Sequence, residues 1–464
     1  MPRTLSSLRV WSVSVCRFAT VVICSLLLWG TNPSEANAVP PNTREAKVRA
    51  DKADVEKDES WVYNDFAKAT AEAQKSGKPL LVVLRCIPCE ACSKFDDEVV
   101  RRNEAVRSLM DQFVCVRIVQ ANGLDLARFQ YDYDQSFHAF LMNADGTIYG
   151  RFGTRSENKD ETQDMTMQGF GKALELALEW HAAYAKDKQR NQELFAAKKG
   201  PKPLVAHPEE YPTLQGKYRS ELDYQGEVVK SCIHCHQVRE AERRWYRDSG
   251  KVMPENVLYP YPLPKVIGLT MNPLEAAQVK SVADDSPAAQ AGIKAGDKIG
   301  ALNGQPLLSI ADLQWVLHQF GASGTMPVKV VREGNILELT LPLDAGWRAK
   351  SDISWRATSW DLRRMTTGGI RFESLTPEER AATQLKENTL ALRAKHVGQY
   401  GEHAAAKNAG FRQGDILVEY DGSRAPLTET QLFAKNVAGH KTGDKVAAKV
   451  LRDGKEIELQ LPQK

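Results

Sequence analysis

Two kinds of apolar pattern run along residues 59–185. Leu80-Leu81-Val82-Val83-Leu84 has no polar break, the mark of a central strand covered on both faces. Gly77-Lys78-Pro79 turns the chain into it. Trp61 to Ala73 and Phe95 to Met110 have helical spacing. Phe113 to Ile118 and Phe137 to Met142 read as further strands, the second turned by Asn143-Ala144-Asp145-Gly146 into Thr147-Ile148-Tyr149. Phe170 to Tyr184, rich in Ala, Leu and Glu, closes the series as a helix. Strand, helix, strand, hairpin and helix predict an α/β domain. Residues 39–58 before it are charged and poor in large apolar side chains, and read as a flexible arm. Residues 186–263 after it read as a linker and a small segment with little apolar material of its own.

The last 200 or so residues repeat one plan. Ser286 to Ile299 contains Ala291-Gly292-Ile293-Lys294-Ala295-Gly296-Asp297 and runs into Leu302-Asn303-Gly304. Ala404 to Leu417 contains Ala409-Gly410-Phe411-Arg412-Gln413-Gly414-Asp415 and runs into Tyr420-Asp421-Gly422. An amphipathic helix and two strand-like segments follow each copy. The glycines suit left-handed helix ends. The repeat resembles PDZ domains, in particular the bacterial type attached to periplasmic proteases, over 264–343 and 366–464, with a Trp-rich connector at 344–365. The resemblance implies that a partner's C-terminal carboxylate rests on loop amides while its chain adds as a strand. In the first copy it points to Ile267, Gly268, Leu269 and Thr270, with Leu313, Val316 and Leu317 on the opposite wall. In the second, Gly369-Ile370-Arg371-Phe372 is parted from the repeated core by a charged insertion, so its fold is expected more firmly than its binding. No Gly-x-Ser-x-Gly element or Ser/His/Asp order precedes the repeats, and proteolysis is not expected.

The N-terminus bears on compartment. Arg3, Arg9 and Arg17 precede or border the apolar run Phe18 to Trp29, and Ala36-Asn37-Ala38 supplies small residues. This is the order of a signal peptide over 1–38 and predicts a periplasmic or envelope location. Without Arg3, Arg9, Arg17 and Glu35, the 62 basic and 59 acidic residues reduce to a net charge of about +1. So even a balance argues against nucleic acid as a partner, and no later segment is apolar enough to cross a bilayer.

Six of the eight cysteines lie beyond residue 38 and most fall in two tight clusters, unlike a disulfide framework. Cys86-Ile87-Pro88-Cys89-Glu90-Ala91-Cys92 overlaps two CxxC spacings after the Leu80 strand. With Gly77 to Val83 before it, the stretch resembles the thioredoxin superfamily. That likeness implies a thiol-disulfide oxidoreductase with Cys89 attacking and Cys92 resolving, or the register Cys86/Cys89. Arg85 or Pro88 replaces the aromatic residue usual before the first Cys, and no Pro stands near Phe137-His138 where the family has its cis-proline. A structural disulfide or a three-Cys metal site are the other readings. Cys115 reads as a buried apolar residue.

Cys232-Ile233-His234-Cys235-His236 holds CxxCH, the spacing of covalent haem c attachment, with His236 as proximal ligand. Met253 is the candidate distal ligand; His207, His234 or an open position are the alternatives. Zinc on Cys232, Cys235, His236 and a fourth ligand, or a bare disulfide with no cofactor, compete with haem. The whole order resembles exported planctomycete-type proteins that join a thioredoxin-like domain, a Cys-containing segment and PDZ domains. It implies a multidomain chain: an α/β thioredoxin-like domain followed by two mainly β PDZ-like domains. The expected function is a redox-linked scaffold directing thiol exchange or electron transfer to exported proteins and a redox partner. The alternative is a non-catalytic periplasmic adaptor with structural cysteines.

Overall fold

In the computed structural model, residues 43–89 and 92–464 are described. The expected signal peptide and the first residues of the expected arm lie outside them. The rest of the arm is helical rather than flexible. Arg44–Val55 is capped by Thr43, Val48 and Val55 are buried, and Asp51 pairs with Arg117 at 2.7 Å. Apolar side chains, the Asp51–Arg117 pair and hydrogen bonds of Glu45 and Arg49 with residues 224–229 hold a segment whose composition looks solvated.

Five strands form the first sheet: β1 (Trp61–Tyr63), β2 (Leu80–Arg85), β3 (Val114–Ile118), β4 (Phe137–Met142) and β5 (Ile148–Phe152), in the order β1-β3-β2-β4-β5. β2 runs parallel to β3 and antiparallel to β4. Its side chains divide by parity, as a strand covered on both faces requires. Leu80, Val82 and Leu84 enter one core, and Leu81 and Val83 the other. Trp61 to Tyr63 is strand rather than the start of the expected helix. That helix begins at Phe66, where Asp65 caps it. The expected helix 95–110 is two, Ser93–Val100 and Glu104–Met110, parted where Arg102 takes a positive φ and Asn103 caps the second.

The segment 199–263 covers one face of this sheet. Tyr211, Leu214, Ile233, Val238 and Ala241 share a core with Leu80, Val82 and Leu84. Its scarce apolar residues suffice because they complete a neighbour's core instead of building their own.

The repeats follow. The first comprises β6 (Leu269–Met271), β7 (Val279–Val282), β8 (Lys298–Leu302), β9 (Gln305–Pro306), β10 (Gly324–Arg332) and β11 (Asn335–Leu343). They form a β6-β7 pair and a sheet of order β11-β10-β8-β9. The second comprises β12 (Ile370–Ser374), β13 (Leu392–Val397), β14 (Ile416–Tyr420), β15 (Lys445–Arg452) and β16 (Lys455–Pro462), in sequential order. The likeness extends to single ion pairs. Asp297 binds Arg332 at 2.7 Å and Asp415 binds Arg452 at 2.6 Å. Each arginine also donates to the carbonyl of the helix-ending glycine, Gly292 or Gly410.

Residues 41–464 make one compact unit. Buried polar contacts join the α/β part to the repeats. Asp312, on the Ile310–Gln319 helix of the first repeat, accepts from the Arg151 amide of β5 and pairs with buried Lys198 at 2.8 Å. Gly150 makes room: a Cβ there would meet the Asp312 carboxylate and Leu308. Arg356 of the connector reaches Asp132 at 2.7 Å, Asp134 at 3.3 Å and the Tyr261 carbonyl at 3.0 Å. Thr358 donates to Asp134, and Arg243 donates to Thr358 and to the Val257 carbonyl.

Removing one partner from such a site strands a buried charge. Arg356→Ala is expected to lower stability by about 3–5 kcal/mol in urea denaturation. A loss below about 1 kcal/mol, the scale of an exposed pair, would contradict this role.

Candidate metal centre and peptide grooves

Cys86 follows β2 and keeps the parity of Leu80, Val82 and Leu84, so it faces the 199–263 segment. There it meets His234. The Cys86 Sγ lies 3.0 Å from Cys89 Sγ and 3.3 Å from His234 Nδ1. Ligand atoms of all three fall within 4.8 Å of one another and could hold one metal ion. Arg85 shapes the loop: it donates to the carbonyls of Cys86, Cys89 and Ser136 and pairs with Asp96 at 2.9 Å, all at a buried position. The Gln237 side chain accepts from the His234 amide at the start of the Cys235–Ser249 helix and fixes the residue there.

The electrostatics suit a cation. The hydrogen bond from Cys86 lowers the Cys89 thiol to about 4; burial opposes this, and a hydrogen bond with His234 adds to it. The same Cys86–Cys89 bond, with burial, raises Cys86. The pair thus presents one thiolate before any metal binds, and thiolate is the form that ligates.

Cys92, the expected resolving thiol, stands apart. It has a left-handed backbone and packs in the opposite core with Phe95. Cys115 is fully buried, its thiol pushed up to about 12 by burial.

The second cluster does not assemble a haem site. Burial pushes Cys232 up to about 12 and Cys235 to about 11. The Cys232 thiol points at the Ile233 carbonyl, and Cys235 accepts from Tyr131 Oη at 3.0 Å inside the shared core. His236 Nδ1 is engaged by Glu240 at 2.9 Å. Met253 packs in another cluster with Leu258, Tyr259 and Ile353. His207 lies against the Leu124 carbonyl at 3.3 Å. Thioether bonds from these thiols would need an apolar slot where the sheet already packs. Haem is therefore corrected to a mixed cluster drawing two thiols from residues 86–89 and one imidazole from residue 234.

The expected peptide-binding residues lie together. Ile267 ends a short turn at Pro264–Ile267, and Gly268 takes φ +87° into β6. A Cβ on Gly268 would collide with the Ser286 side chain, so only glycine fits. Ile267, Leu269, Leu313, Val316 and Leu317 are buried in one core, and Thr270 is exposed. β6 has β7 as its sole strand neighbour.

A thioredoxin-like family model matches residues 61–144, and a PDZ domain model matches residues 265–343 and 369–462. Probable periplasmic serine endoproteases, DegP-like, from Pseudomonas fluorescens and Pseudomonas fulva are 27% identical over 179 residues and 28% identical over 184. Each match covers 39% of this chain and 36% of the relative, so the chain spans about a third of their length. The crystal structure of a serine endoprotease from Yersinia pestis is 31% identical over 17% of this chain and 28% of that one, with a TM-score of 0.15.

These relatives correct the expected kinship with exported planctomycete-type thioredoxin-like/PDZ haem proteins: they are DegP-like proteases. The expected fold class changes with it. The C-terminal half carries PDZ domains, but the α/β half is no free-standing thioredoxin-like module, since its cores are completed by residues 211–241 and by Leu308. Neither a redox-linked scaffold nor a non-catalytic adaptor agrees with protease relatives, and a thiol-disulfide oxidoreductase is not their class. No disulfide joins the six described cysteines, and the expected redox-active centre and disulfide are not supported by these relatives.

Expression beside a c-type haem maturation system is expected to yield protein of unmodified mass, while a control cytochrome in the same cells gains haem. A haem-sized mass gain on the Cys232–Cys235 peptide would contradict the packing described.

Proposed function

We propose that this chain recognises polypeptide substrates for proteolysis in the bacterial periplasm or envelope, its PDZ domains holding the substrate segment. The observation that carries the reading is the groove of the first PDZ domain. There a glycine turn at Gly268 that tolerates no side chain leads into β6, whose second edge has no strand partner. Such an edge beside a helix accepts an extended chain by strand addition. The DegP-like relatives support both the proteolytic context and the compartment. No described helix is long and apolar enough to cross a membrane. The reading concerns substrate recognition and assigns no nucleophile.

Zinc is the metal we assign to Cys86, Cys89 and His234, because thiolate and imidazole donors suit it. Bound there, it would tie the loop after β2 to the segment carrying His234. Three protein donors leave a fourth position for water or for a further side chain.

Fluorescence anisotropy with a labelled peptide ending in an apolar residue and a free carboxylate is expected to show saturable binding. Gly268→Ala should weaken it by about tenfold or more, equal to about 1.4 kcal/mol. Absence of binding to any of a panel of such peptides, with unfolded casein equally ignored, would overturn the reading.

Metal analysis after refolding with zinc is expected to give one ion per chain. Cys86→Ser and His234→Ala should each weaken zinc about tenfold or more against a chromophoric chelator. His236→Ala and Met253→Ala should leave it unchanged; the reverse pattern would move the site to the second cysteine cluster.

A further inference from the structure

The second PDZ domain differs from the first at the place where a peptide would lie. β12 has β13 as its sole strand neighbour, so its outer edge faces the Glu429–Gly439 helix. On that edge the Phe372 amide is already answered: it donates to Glu429 Oε1 at 2.7 Å. Glu429 is held in turn by Arg363, at 3.0 Å from Nε and 2.6 Å from Nη2, and both side chains are buried. Arg363 also donates to the Ser354 carbonyl at 2.7 Å. The connector is thereby fastened to the groove.

Its residues lie against the start of the helix beside that edge. The Ile353 amide donates to Thr430 Oγ1 at 3.1 Å, and Thr430 donates to Asp352 at 3.1 Å. Ile353 is 1% exposed and packs with Leu362, Met365 and Phe433, the last lying one helical turn beyond Glu429. What remains is a cavity of about 410 Å³ bordered by Ser351, Ser354, Arg371, Glu373, Thr428 and Gln431, where connector, strand edge and helix start converge. In the first domain, among the described hydrogen bonds, no side chain answers an amide of β6.

We infer that the second PDZ groove is covered by the chain's own connector, with Ile353 packed on Phe433 of the helix and Glu429 on the strand edge. Incoming polypeptide is then taken by the first groove alone until the connector is displaced. This rests on the proposal that PDZ grooves here take polypeptide. Freeing the second groove requires breaking the Arg363–Glu429 pair and lifting Ile353, so the two domains form a graded binder rather than two equal sites.

Isothermal titration of the full chain with the apolar-tailed peptide is expected to give one site per chain. Ile353→Gly combined with Thr430→Ala should release the connector and give two. Adding Gly268→Ala should remove the first site, leaving none in the wild-type background and one in the released variant. Two sites in the wild-type chain would overturn the inference while leaving the peptide-binding reading intact. No sites in any variant would instead overturn that reading. Should the released variant fail to fold, hydrogen exchange on the wild-type chain decides. Saturating peptide should slow exchange at β6 and leave the Phe372 amide unchanged; slowing at both would overturn the inference.

Discussion

Everything in the arrangement leans on a buried group of charges around Arg356. One guanidinium from the connector meets two carboxylates, Asp132 and Asp134, that come from the loop before β4, and it touches the Tyr261 carbonyl just ahead of the first PDZ domain. Burial raises the Asp134 carboxyl, but Arg356 and Arg243 outweigh it and hold it below its ordinary range. Charges taken out of water are tolerated only when each finds its counterpart. That requirement sets the α/β sheet, the Cys235–Ser249 helix and the connector at one relative placement. A mispacked arrangement would leave a bare charge inside.

The placement explains why chemistry gathers where it does. Strand parity turns Cys86 to the sheet face that the 199–263 segment covers, and the Cys235–Ser249 helix begins there with His234 beside it. The same constraint sets the connector against the second PDZ domain, where Arg363 and Ile353 reach its groove. The proposed metal centre and the proposed covering of the groove both rest on how these parts are locked together.

Much of this was legible from local pattern. The run Leu80 to Leu84, the hairpin after Met142 and the duplicated Gly-Asp turns each carry their signal within a dozen residues, and the structure has a strand, a hairpin and a repeat at those places. What local pattern could not convey is partnership across the chain. CxxCH at 232–236 reads as haem attachment because spacing says nothing about what already packs against the thiols. Here Tyr131 and Ile233 take up that space. The histidine that meets Cys86 is His234, which the spacing offers only as an alternative distal ligand. One clue was present: a segment of some 60 residues with few apolar side chains must borrow a core, and the bare face of the α/β sheet is the lender. The arm at 44–55 misled for a related reason, since its charges are paired with Arg117 and with the Val228 and Val229 amides rather than with water. Family resemblance misled differently, because architecture alone does not specify activity.

Two segments distant in the chain would together supply the proposed metal centre. X-ray absorption at the zinc edge on the refolded, zinc-loaded chain tests it most directly. Two sulfur donors and at least one imidazole nitrogen are expected, with the imidazole signal lost in His234→Ala. A spectrum with sulfur donors that survive Cys86→Ser and Cys89→Ser, or one unchanged by His234→Ala, would contradict it.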